Sequence, residues 1–111
     1  MVRLQVNGVK LLASKLPIQD ADVVKNLAYQ LEREIGDIVI VFGCEVNAKP
    51  QLLVTIIKSL TEEQSLDAGK IIWELAKEIK GGGGGQAFLA AAGGNDLSGL
   101  DRAIAKAKEV I

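Results

Sequence analysis

At 111 residues, 49 % of them apolar, the chain can bury one complete hydrophobic core but not two, and the spread of those residues excludes a disordered polymer. Thirteen Lys and Arg against fourteen Asp and Glu give a formal charge of −1, so nucleic-acid contact, if any, must use a local patch. Histidine is absent, which removes the commonest general base and zinc ligand.

"VRLQVNGVKLLASKL" opens with alternation, since Val2, Leu4 and Val6 share one face. Asn7-Gly8 tolerates positive φ at both positions and predicts a hairpin into a second strand from Val9 to about Ser14. The period then changes. Asp20 or Asp22 can cap a helix whose inner face is Val23, Val24, Leu27, Ala28, Leu31 and Ile35, with Gly36 as the stop. "DIVIVFGCEV" and "QLLVTIIKSL" are nearly continuous apolar runs, as central strands require, and "EVNAKP" between them is a tight connection. Cys44, the only cysteine, stands in such a run and is expected to be a small buried hydrophobe. "TEEQSLDAGKIIWELAKEIKG" predicts a loop into a helix that buries Ala68, Ile71, Ile72, Leu75, Ala76 and Ile79.

On that helix Glu74 and Glu78, like Glu32 and Glu34 on the earlier one, are expected on solvated faces. Trp73 falls off the stripe and is expected to cover the helix edge; a base-stacking ring is the alternative. After five glycines, "QAFLAAA" predicts a strand with small side chains that lets a helix approach closely. Gly93-Gly94-Asn95-Asp96 is a turn, and Leu97, Leu100, Ile104, Ala107 and Ile111 keep the inner face of a last helix. The order ββαββαβα predicts an α/β domain of two layers, a mixed sheet of about five strands covered by three helices, over residues 1–111. No apolar run approaches a membrane span, and "MVRLQVNGVK" lacks the core of a signal peptide, so a cytoplasmic location is expected.

Catalytic motifs fail on chemistry. A phosphate loop needs Lys and a hydroxyl directly after its glycines, where this chain has Gln86, Ala87 and Phe88. A dinucleotide turn needs glycines before a helix, whereas here they follow the end of one, where the dipole disfavours an anion. Three uses of the glycine run stay open: a flexible linker, a close-packing turn, or a binding loop whose unhindered N–H groups meet phosphate or sugar oxygens. Lys77 and Lys80 precede it, and no acidic residue occurs from Gly81 through Asn95.

"AGKIIWELAKEIK", the glycine run and the closing "AGG" resemble the C-terminal, DHHA1-type globular domain (C-Ala) of alanyl-tRNA synthetases. "LQVNGVKLLASKL", "VVKNLAYQLEREIGDIVIVFG" and "QLLVTIIKSLTEE" extend the similarity over nearly the whole chain. The resemblance implies an accessory domain without catalytic residues, a fragment of a longer enzyme, that helps to hold tRNA for aminoacylation and editing. It implies tRNA as partner, with self-association and no membrane. No cofactor is implied for the domain; ATP, magnesium and zinc are implied only for the parent ligase. Two alternatives accompany it, a dimerisation or docking module and the nucleic-acid-binding half of a DHH-family phosphodiesterase. The residues implied to meet RNA or a partner are Lys77, Lys80, Gly81, Gly82, Gly83, Gly84, Gly85, Gln86, Gly93, Gly94 and Asn95. Family members commonly carry a basic residue where this chain has Gly82, an arginine where it has Gln86, and an amide where it has Ala91, so a charged phosphate fork is lost here.

Overall fold

The computed structural model describes residues 2–6, 9–36, 38–63 and 66–109. The expected Asn7-Gly8 turn and the inward place of Ile111 lie outside them. In chain order the elements are β1 (Val2–Val6), β2 (Val9–Lys15), α1 (Ala21–Ile35), β3 (Ile38–Val46), β4 (Lys49–Ile56), α2 (Lys58–Glu63), α3 (Ala68–Ala76), β5 (Gly82–Gln86), β6 (Leu89–Gly93) and α4 (Leu100–Lys106). Short 3-10 turns follow at Lys77–Ile79, Leu97–Gly99 and Ala107–Glu109.

One six-stranded sheet runs β1-β2-β3-β4-β6-β5. Only β2 and β3 pair in parallel, joined through α1 as a crossover connection demands; the other pairs are antiparallel. The α/β class and the mixed sheet are those expected from the sequence. The sixth strand is the glycine run itself.

Helices cover both faces, so the expected two layers are three. The cause lies in β3, whose consecutive apolar residues can be buried only when both faces are covered. Ile38, Ile40, Phe42 and Cys44 point with Leu12 and Leu53 toward Val24 and Ala28 of α1. Val39 and Val41 point the other way, with Leu52, Val54 and Ile56, toward α2, α3 and α4. Asp20 caps α1 by accepting from the N–H groups of Asp22 (2.9 Å) and Val23 (3.4 Å), and Gly36 ends it at φ 67. The β3–β4 hairpin closes through Asn47 and Ala48, both left-handed at φ 54 and 63, the turn that matches strand twist.

Two expectations change after β4. The strand ends at Ile56, and 58–63 form a short helix rather than the end of a strand and a loop. A short apolar run fits either state until its backbone finds a partner. Here the Leu60 N–H donates to the Ile57 carbonyl at 2.9 Å, and Leu60 turns back into the core. All six expected residues of the inner stripe are buried, five of them in α3 and Ile79 in the 3-10 turn that follows, and Asp67 caps α3.

Candidate functional site

The glycine strand is held at both ends. At its start, Lys80 takes the left-handed conformation (φ 52) that closes the turn after α3, and the Gly81 N–H returns to the Ala76 carbonyl at 3.0 Å. At its end the β5–β6 turn is clamped: the Ala68 N–H donates to the Ala87 carbonyl at 2.8 Å, and the Ile56 N–H to the Phe88 carbonyl at 3.0 Å. In register, Gly82 faces Gly93 and Gln86 faces Leu89. The run is therefore an edge strand, and the linker reading falls.

Its glycines alternate in what they permit. A Cβ at Gly81, Gly83 or Gly85 would strike the backbone of 93–94, 91–92 or 89–90, whereas one at Gly82 or Gly84 meets nothing within 4 Å. Close packing accounts for one set and leaves the other free. All of 82–86 is exposed, and an edge strand presents a row of unpaired N–H and C=O groups on its outer side.

The expected contact residues fall into three groups. Lys80, Gly81, Gly82, Gly93, Gly94 and Asn95 gather at one end of the hairpin, where the Ile79 carbonyl accepts from the Asn95 and Asp96 N–H groups, each at 2.9 Å. Gly94 is committed to the fold, because a side chain there would enter the Ile79 backbone. Gly83, Gly84, Gly85 and Gln86 run away along the edge. Lys77 lies apart from both, its Nζ 3.2 Å from Glu74 Oε1 and 4.2 Å above the Trp73 indole.

Electrostatics bind α3 to α4. Lys106 Nζ lies 3.4 Å from Glu78 and 3.9 Å from Glu74, while Arg102 lies 3.6 Å from both Glu78 and Asp96. Glu74 and Glu78 thus form a seam rather than the expected solvated face. The Asp96 carboxyl is held below the usual carboxylate range, first by the Ser98 hydroxyl donating to it and then by Lys80 and Arg102 nearby. Burial pushes the Cys44 thiol up, away from thiolate chemistry.

Trp73 is 58 % exposed. It lines a groove of about 540 Å³ together with Asp67, Gly69, Lys70, Glu74 and Gly83, Gly84 and Gly85 of the glycine strand. Its position off the apolar stripe was the only signal in the sequence.

The DHHA1 domain family matches residues 8–111. The chain belongs to that family. This DHHA1 domain is 46 % identical over 106 residues to the alanine–tRNA ligase of Christiangramia forsetii and 39 % identical over 107 residues to that of Cytophaga hutchinsonii. Each alignment covers 96 % of the domain and 12 % of the ligase, so the chain spans about an eighth of the relatives it matches. Among solved structures it superposes on the C-Ala domain of Aquifex aeolicus alanyl-tRNA synthetase with a TM-score of 0.87 at 25 % identity, covering 99 % of this chain and 97 % of that one. Among the described residues, no helix is long and apolar enough to cross a membrane.

Proposed function

We propose that this chain is the C-terminal accessory domain of an alanine–tRNA ligase, meeting tRNA along the glycine edge beside Lys80 while other parts of the parent enzyme perform aminoacylation and editing. The observation that carries this reading is the end-to-end match to a C-Ala domain, 99 % of one chain on 97 % of the other. The edge is suited to the task. Double-stranded RNA is met mainly by shape, phosphate and 2′-hydroxyl contacts, which exposed backbone and lysine groups can make. Weak contacts suffice when the domain is tethered to an enzyme already holding the same tRNA. ATP, magnesium and zinc belong, on this reading, to the parent enzyme.

The test is fluorescence anisotropy of a labelled alanine-accepting tRNA transcript with the 111-residue chain at low salt. The expected result is weak binding that falls steeply with salt and is reduced by neutralising Lys80. No binding, or binding indifferent to Lys77→Gln and Lys80→Gln together, removes the direct-contact role.

A second reading, self-association, is favoured by one feature: over Gly82, Gly83, Gly84 and Gly85 the outer edge of β5 carries no side chain to block another strand. Sedimentation showing a strict monomer at high micromolar concentration counts against it.

A further inference from the structure

We infer that the groove between Trp73 and the glycine strand is a slot for a single unpaired RNA base, an assignment that rests on the RNA-binding reading above. The starting point is Trp73 itself, 58 % exposed on a helix whose other apolar residues are buried. The ring is the one large apolar group that α3 leaves mostly outside the core, and Lys77 Nζ lies over it at 4.2 Å. The opposite wall, 83–85, has no side chains, so a flat ring entering the groove meets indole on one side and peptide planes on the other. Aromatic stacking accepts any base, and the unpaired N–H and C=O groups of the strand edge can meet the donor and acceptor edge of that base.

Charge favours a nucleotide as occupant. Two acidic residues line the groove, and both are engaged: Asp67 caps α3 through the Gly69 N–H at 2.8 Å, and Glu74 is neutralised by Lys77 and Lys106. Lys70 lines the groove and is placed for a flanking phosphate, while Lys77, paired with Glu74, stands over the indole on the other side of Trp73 along the helix. A base stacked within a duplex shows neither face, so the ring must be unpaired. An added peptide strand fits less well, because a glycine edge offers none of the cross-strand side-chain pairs that stabilise a sheet.

Trp73 is the only tryptophan in the chain, so its emission reports this groove alone. Three ligands are titrated at low salt: an alanine-accepting tRNA transcript, an oligoadenylate pentamer and the matching abasic pentamer. Labelled-tRNA anisotropy is followed in parallel. The transcript and oligoadenylate are expected to quench saturably and the abasic chain to leave emission unchanged. Trp73→Ala is expected to weaken tRNA binding roughly tenfold, and Trp73→Phe no more than about threefold. If tRNA binds while emission and the Trp73→Ala affinity stay unchanged, the slot is overturned and the RNA-binding reading survives. If oligoadenylate quenches while tRNA does not bind, the slot stands and the tRNA reading falls. Equal quenching by the abasic chain, or quenching only by an extended peptide such as alternating Thr and Val, also overturns the slot.

Discussion

A methyl group at Gly83 would run into the Ala91 carbonyl and the Cα of Ala92, whereas one at Gly82 or Gly84 would meet no atom within 4 Å. Neighbouring residues of identical chemistry therefore carry opposite constraints. Gly83→Ala is expected to destabilise the domain by about 1–3 kcal/mol, the usual cost of forcing extra atoms into a packed site. Gly82→Ala and Gly84→Ala are expected to stabilise it by about 0.4–1 kcal/mol, because they restrict only the unfolded chain. Urea midpoints decide it, and equal effects at the three sites would mean that β5 does not pair as described. Lys80 offers a complementary probe. It sits in left-handed backbone that glycine adopts without strain, so Lys80→Gly removes the charge without loosening the turn.

At the scale of elements, the seam between α3 and α4 depends on charge, and Asp96 is its titrating member. Its carboxylate accepts from the Ser98 N–H at 3.1 Å and from the Ser98 hydroxyl, and it lies 3.6 Å from Arg102. Because its folded pKa is lowered, the carboxylate adds stability above the unfolded value of about 3.9, and that contribution is lost as pH falls through the folded value. Asp96→Asn keeps a capping oxygen and removes the charge. Wild type and variant should differ most at pH 5 and above, and converge only as pH falls below the unfolded value and through the lowered folded one, in acid titrations of the denaturant midpoint. A gap that persists unchanged into acid would assign the effect to packing. Elements with side-chain signals were legible in the sequence: α1 from its Asp cap and helical period, α3 from its helical period, β3 from its apolar run. β5 was not, because strand propensity resides in side chains and the glycine run has none. Its state comes from β6 alongside and the clamps at Ala87 and Phe88, contacts distant in sequence. The candidate site was legible to the same degree. Lys80 and the glycines were visible as a patch free of acidic residues, and Lys77 lies three residues after the Glu74 that engages it, but the groove at Trp73 depends on the glycine strand that folds beside α3.

Across the whole molecule, stability should be graded along the sheet. β3 is paired on both sides and buried on both faces, while β5 is paired only with β6 and exposed throughout. Opening β5 uncovers few side chains, so it costs less than global unfolding. Amide hydrogen exchange should show 82–86 exchanging through local opening that barely responds to low denaturant, and β3 and β4 exchanging only when the whole domain unfolds. Uniform protection would mean that the clamps at Ala87 and Phe88 make the glycine hairpin one cooperative unit with the core. The gradient also makes the interface observable. A ligand that engages the glycine edge must slow exchange at 82–86, since opening that strand then requires its release, while the far edge at β1 should be unaffected. Saturating tRNA that protects 82–86 and leaves β1 unchanged fits the proposed contact. Protection confined to β1 or α1 would move the RNA surface to the other side of the sheet, leaving the side-chain-free edge for a second subunit.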